Sequence, residues 1–141
     1  MRTVSIQDGD TLTLHGTLPF PARHRIRLAG IDAPEKGEAF HDESRLALQR
    51  LTMAHEITIE LTDRFDAMPD YLNRLLAYLW AGPVLVNEEL VRQGMACVWS
   101  PRGPSQHEAR LLRAQAEAQE AVRGFWAFHA HRLCDVLHRP R

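Results

Sequence analysis

The sequence has 141 residues and a mass of 16.1 kDa, which is the size of a single folded domain. Its hydrophobic fraction of 45% and charged fraction of 25% are average for globular proteins and exclude disordered, fibrous and disulfide-scaffold classes. The formal net charge of -1 does not indicate a nucleic-acid partner. Every basic side chain except Lys36 is an arginine, whose planar fork fits phosphate or carboxylate, although a codon-biased genome also explains this preference.

Alternating apolar residues predict five strands in the first part of the chain. The first strand, around Val4 and Ile6, precedes an Asp8-Gly9 hairpin turn and a return strand around Leu12. The remaining predicted strands cover residues 25–31, 57–61 and 75–80. Five short strands in this space indicate a small barrel.

Three helices are predicted between and after these strands. An amphipathic helix over residues 39–54 lies between the third and fourth strands. Asn87 is the predicted N-cap of a second helix that ends before Gly94. Ser105 and Glu108 form a predicted capping box for a third helix that runs to residue 122. We therefore expect an α+β domain over 1–126, mainly a β barrel, with a C-terminal extension over 127–141 that is a short helix or a mobile tail.

The two cysteines and the ends of the chain allow further expectations. Cys97 and Cys134 lack metal-ligand spacing, so we expect two reduced core thiols, although a disulfide is compatible with the sequence. No secretory leader or membrane-spanning run is visible. We therefore expect no membrane partner, and either a cytoplasmic protein or one whose leader has been removed.

Acidic residues near the rim of the predicted barrel form a candidate site. Asp10 follows the Asp-Gly turn, Asp32 ends the third strand, and Glu35 lies just beyond Pro34. Three carboxylates converging on a rim suit a hard cation such as Ca²⁺. Solvated turn and helix caps are the alternative explanation of these residues.

Two arginines favour a catalytic interpretation of this cluster. Arg27 and Arg74 lie near strand ends that face the same rim, and a cation with two guanidinium groups neutralises charge on a phosphoryl group while a free carboxylate activates water. Arg27 and Asp32 are an odd number of residues apart, so a regular strand would point them to opposite faces. Gly30 is the natural position for a kink that brings them together.

Four motifs in order resemble the staphylococcal nuclease (thermonuclease) family over nearly the whole chain. They are DGDT at 8–11, IRLAGIDAPE at 26–35, NRLLAY at 73–78 and LVNEELVRQGMA at 85–96. The resemblance implies a five-stranded OB-fold barrel with three helices. It also implies a Ca²⁺-dependent endonuclease that hydrolyses DNA and RNA and leaves 3′-phosphate ends.

The resemblance also implies individual roles. Asp10, Asp32 and the backbone carbonyl of Ala33 would bind Ca²⁺. Glu35 would contact the ion through water and act as general base. Arg27 and Arg74 would bind and polarise the scissile phosphate. All five side chains of this set are present in the sequence.

The chain departs from the family just before Arg74, where Leu72-Asn73 replace the family's Tyr-Gly. This change removes an aromatic ring on which a nucleic-acid base would stack. Tyr71 and Trp99 are the remaining candidates for nucleic-acid binding, although ordinary packing also explains them. We expect a monomer whose substrate is single-stranded or locally melted DNA or RNA. Because lysines are nearly absent, we expect slow capture of long DNA.

Two alternative functions remain open at this level. One is a non-catalytic OB-fold module that binds nucleic acid or protein. The other is a haloacid-dehalogenase-type phosphatase, since residues 4–12 read as a strand followed by Asp-x-Asp-x-Thr. That second class also needs a later lysine and a doubly wound sheet, which this sequence does not predict.

Overall fold

The computed structural model describes residues 1–16, 22–62, 74–101, 103–104, 106–128 and 134. The strands are β1 (Arg2–Asp8), β2 (Thr11–His15), β3 (Arg23–Leu28), β4 (Ile31–Asp32), β5 (Ile57–Leu61), β6 (Leu75–Ala81), β7 (Val84–Leu85) and β8 (Cys97–Val98). The helices are α1 (His41–Thr52), α2 (Val86–Arg92) and α3 (Glu108–Glu120), followed by a 3₁₀ helix at Gly124–Phe128. None of the described helices has the length and apolar character that crossing a lipid bilayer requires.

The main sheet is mixed and has the strand order β1-β2-β3-β6-β5, with β7 paired to β6. Strands β1, β2 and β3 form an antiparallel meander, β6 runs parallel to β3, and β5 is antiparallel to β6. This sheet and the three helices fit an α+β OB-fold. The predicted five-stranded barrel is not confirmed, because no pairing of β1 with β5 closes the sheet in the described residues.

The core lies between the inner face of this sheet and the three helices. The period of two along the strands places apolar side chains on that face, and several are fully buried: Leu12, Leu14, Ile26, Leu28, Ala77 and Leu79. Each helix contributes one fully buried leucine to the same core, namely Leu48, Leu90 and Leu111. The alternation of apolar and polar residues in the sequence therefore predicted this packing correctly.

The predicted third strand is interrupted, and this changes the local topology. The strand ends at Leu28 instead of running to Ile31, and the chain turns at Gly30, whose φ of 78° favours glycine. A Cβ at Gly30 would also lie 2.7 Å from Leu111 Cδ1. After the turn, β4 leaves the main sheet and pairs antiparallel with β8, so that Asp32 lies opposite Cys97.

Two predicted helix starts are wrong. Helix α2 begins at Val86 after Leu85, and Asn87 is not its N-cap. The amide of Asn87 is instead fully buried, where it accepts a hydrogen bond from Leu79 N at 2.9 Å and donates one to Ala29 O at 2.8 Å. Helix α3 begins at Glu108 itself, after His107, and no side chain caps its first turn. Ser105, the proposed partner in the capping box, lies outside the described residues.

The two cysteines form a disulfide, so the expectation of reduced thiols is wrong. The residues are 37 positions apart in sequence, and the fold brings their Cα atoms to 5.2 Å. Of the predicted extension over 127–141, only Ala127, Phe128 and Cys134 are described, so its form stays a prediction.

Candidate active site

Two buried acidic residues reach the site from different elements. Asp10 lies in the tight connection between β1 and β2, and Asp32 is the last residue of β4. The backbone of Asp10 is fixed by a hydrogen bond from Leu28 N to Asp10 O at 2.8 Å. This bond joins the hairpin to the end of β3, immediately before the turn at Gly30.

The guanidinium group of Arg27 joins the two carboxylates. Its Nη2 atom lies 3.4 Å from Asp10 Oδ2 and 3.3 Å from Asp32 Oδ1. Its Nη1 atom donates to Leu28 O at 2.6 Å. All three side chains are almost completely buried, so these charges interact with little screening by solvent. The turn at Gly30 thus has the predicted effect of bringing Arg27 and Asp32 together.

Asp10 is held by two further hydrogen bonds. Thr11 Oγ1 donates to Asp10 Oδ1 at 2.9 Å, and Ala33 N donates to Asp10 Oδ2 at 2.8 Å. Burial raises the pKa of Asp10, but the positive charge of Arg27 and these hydrogen bonds outweigh burial and hold the pKa below its ordinary value. Asp10 is therefore a carboxylate at neutral pH.

The second predicted arginine reaches the same cluster through Thr11. Arg74 Nη1 lies 3.5 Å from Thr11 Oγ1, the hydroxyl that donates to Asp10. Arg74 directly precedes β6, and β6 runs parallel to β3 with Leu76 opposite Arg27. Thr11 has no role in the sequence prediction, although its position directly after Asp10 in the DGDT motif would have indicated one.

Glu35 lies in an exposed loop shortly after Asp32 in the sequence. Its backbone N–H donates to Glu38 Oε1 at 2.6 Å, and Glu38 N donates to Glu35 O at 2.9 Å. Within the described parts of the chain, no three His, Cys, Asp or Glu side chains form a group that could hold a metal ion. The role of Glu35 stays a prediction.

Of the two aromatic candidates, one lies at the site. The Trp99 ring is 5.9 Å from Arg27 Cζ, within the range of a cation–π contact. Its backbone is fixed by a hydrogen bond from Trp99 N to Gly30 O at 2.8 Å. Tyr71 lies outside the described residues.

The chemistry of this pair fits a hard divalent cation. Asp10 and Asp32 offer only oxygen donors, and the hydrogen bond from Ala33 N places the Ala33 backbone beside them. Both carboxylates are almost completely buried, where solvent only weakly screens their attraction for a positive ion.

Comparison with known proteins identifies the family of the chain. Residues 25–128 match the profile of the family described as "Staphylococcal nuclease homologue". The chain belongs to the staphylococcal nuclease family. Membership of this family supports nuclease activity on nucleic acids and excludes the haloacid-dehalogenase alternative.

Several bacterial relatives of the staphylococcal nuclease family are similar to the chain. It is 36% identical to an "Uncharacterized endonuclease" of Haemophilus influenzae over 128 residues, which cover 89% of this chain and 65% of that relative. It is 31% identical to a "Micrococcal nuclease" of Shigella flexneri, covering 88% of this chain and 71% of that protein. Identity to the "Thermonuclease" of Staphylococcus hyicus is 24%, with coverage of 89% and 75%.

Proposed function

We propose that the chain is a Ca²⁺-dependent endonuclease that hydrolyses DNA and RNA and leaves 3′-phosphate ends. The observation that carries this proposal is the contact of Arg27 with both Asp10 and Asp32, beside the Thr11 hydroxyl that Arg74 approaches. It places anionic oxygens for a cation and guanidinium groups for a phosphate within one cluster.

Asp10, Asp32 and the Ala33 carbonyl would hold the Ca²⁺ ion, with Glu35 contacting it through water. When bound, the ion supplies charge neutralisation for the phosphoryl oxygens of the substrate. Asp10 suits this role because its pKa is held below the ordinary value, so no proton on Asp10 competes with the ion near neutral pH.

The protein's own side chains perform the remaining steps. Arg27 and Arg74 bind the scissile phosphate and stabilise the negative charge that grows in the transition state. Glu35 is exposed and therefore accessible to water, from which it takes a proton as the water attacks phosphorus. Cleavage on the 5′-oxygen side leaves the phosphate on the 3′ end.

The substrate is expected to be single-stranded or locally melted. Trp99 lies beside Arg27, so its ring is placed to stack on a base next to the bound phosphate. Tyr71 is a second candidate platform. We propose that the chain acts as a monomer.

The decisive experiment is digestion of single-stranded DNA and RNA with Ca²⁺ and with a calcium chelator. Glu35→Gln should lower kcat by roughly 10²–10⁴-fold and leave Ca²⁺ affinity largely intact, because the general base is lost while the direct ligands remain. Asp32→Ala should lose Ca²⁺ binding in calorimetry. Glu43→Gln, an exposed carboxylate on α1, is the matched control and should behave as wild type.

Two results would contradict the proposal. Cleavage that persists in chelator would exclude the calcium requirement. Nucleic-acid binding without cleavage at any Ca²⁺ concentration would instead support the non-catalytic module of the same family. Analysis of the products by end-labelling distinguishes 3′-phosphate from 5′-phosphate ends.

A further inference from the structure

The disulfide is attached to the strand that pairs with the strand of Asp32. Cys97 of β8 is the register partner of Asp32 in β4, and Cys97 is almost completely buried. Strands β4 and β8 have two residues each, so few ladder hydrogen bonds hold them together. The bond to Cys134 gives β8 a covalent attachment to a distant part of the chain. A constraint on Cys97 is therefore also a constraint on Asp32.

The same part of the chain also contacts the far end of the 33–40 loop. Phe40 ends this loop in a left-handed conformation with a φ of 69°, which is unfavourable for a bulky residue. Its ring packs against Phe125 at 6.1 Å and Phe128 at 5.6 Å between centroids. We call Gly124–Phe128 together with Cys134 the C-terminal strap.

The C-terminal strap thus reaches both ends of the segment that carries the site. At one end it is bonded to the residue opposite Asp32, and at the other it packs on Phe40. Between these ends lie the Ala33 carbonyl and Glu35, whose positions matter for catalysis. Small displacements of such groups are costly for rate, since a shift of about 1 Å can lower it roughly 100-fold.

We propose that the Cys97–Cys134 disulfide is a redox lock that positions the 33–40 loop, so that activity requires the oxidised pair. This inference rests on the proposed nuclease function. Formation of the lock is a thiol–disulfide exchange in which a small-molecule or protein disulfide accepts two electrons and two protons from the thiols and leaves as two thiols. Cys134 is partly exposed, so exchange can begin at its sulfur atom.

The lock has a direct consequence for where the protein works. Disulfides persist in oxidising compartments and are rare in the reducing cytoplasm. The lock would therefore be closed in an oxidising compartment and open in the reducing cytoplasm, where the chain would be a weak nuclease.

The test compares the wild-type protein in two forms, oxidised by glutathione disulfide and reduced by dithiothreitol followed by alkylation. Thiol titration in denaturant should find no free thiols in the first form. Reduction should lower kcat about tenfold or more and accelerate hydrogen exchange in peptides covering 33–40, while peptides covering β1 and β2 keep their exchange rates. Free thiols in the oxidised form, equal activity of the two forms, or equal exchange at 33–40 in the two forms would each overturn the lock.

Cys134→Ser is the control for effects of the reductant itself. It should match the reduced wild type in activity and exchange, and dithiothreitol should change nothing further. If this variant does not fold, the comparison of the two wild-type forms still decides. If the proposed nuclease function is wrong, the result is different. The oxidised protein is then inactive, whereas hydrogen exchange at 33–40 still responds to reduction.

Discussion

Arg27 Nη2 lies 3.3 Å from Asp32 Oδ1, and the two side chains meet because the chain turns at Gly30 between them. A methyl group at Gly30 would be strained by the φ of 78° and would lie 2.7 Å from Leu111 Cδ1. Gly30→Ala should therefore lower the free energy of unfolding by about 2–4 kcal/mol and reduce activity in the folded fraction. Urea unfolding and a nuclease assay measure the two effects.

Gly82 supplies the matched control, since it also has a positive φ, of 60°, but open space around its missing Cβ. Gly82→Ala should cost only about 1 kcal/mol for backbone strain. Equal losses in the two variants would show that the contact with Leu111 contributes nothing to the turn.

Arg27 contacts two buried carboxylates, so its removal takes away a positive charge that stabilises both. Arg27→Gln should destabilise the protein by about 3–5 kcal/mol in chelator. Ca²⁺ should restore more stability to this variant than it adds to the wild type, because the ion replaces the missing positive charge. Thermal unfolding with and without Ca²⁺ measures both effects. Arg113→Gln, an exposed arginine on α3, should show neither.

The buried amide of Asn87 holds the segment before Gly30 against β6. Asn87→Ala leaves Leu79 N and Ala29 O without this partner, at a cost of about 1–3 kcal/mol for each unsatisfied group. Denaturant unfolding should show a larger loss than for Gln115→Ala, which removes a single bond from Val98 N at a partly buried position. A smaller loss for Asn87→Ala would mean that water replaces the amide.

Glu60 gives the fold a predictable response to acid. Burial raises the pKa of Glu60, but hydrogen bonds from Trp80, His107 and Gln106 outweigh it and hold the pKa below its ordinary value. A carboxyl with a lowered pKa stabilises the fold above its unfolded pKa and loses this contribution as pH falls through the folded value. The melting temperature of wild type should therefore fall more steeply below pH 4.5 than that of Glu60→Gln.

The control for this titration is Glu43→Gln, whose carboxylate is exposed on α1. Its melting temperature should follow that of wild type across the same pH range. If Glu60→Gln also runs parallel to wild type, the three hydrogen bonds do not depend on the charge of Glu60.

The parts of the fold that local pattern determines were predicted from the sequence. Alternating side chains such as Leu12 and Leu14 revealed the strands, because burial on one face imposes a period of two. The kink between Arg27 and Asp32 was also predictable. Their odd spacing would put them on opposite faces of a regular strand, and Gly30 is the residue between them that best permits a turn. The candidate pair of Asp10 and Asp32 was predicted from their positions after a turn and at a strand end, with support from the motif resemblance.

The missed features all depend on contacts between distant parts of the chain. Asn87 resembles an N-cap in local sequence, but its partners Leu79 and Ala29 become visible only after β6 and β3 are packed. Likewise, the sequence does not show that Cys97 and Cys134 are bonded rather than reduced, because their proximity is a product of the whole fold. Tertiary context overrides local propensity in both cases.

Lys36 is the single lysine of the chain, and it is exposed in the 33–40 loop beside Glu35. Apart from the α-amino group, an amine-reactive dye therefore has one side chain to label. The dye would sit next to the candidate general base and would report on this loop spectroscopically. It requires no added cysteine, so the Cys97–Cys134 bond remains undisturbed during labelling.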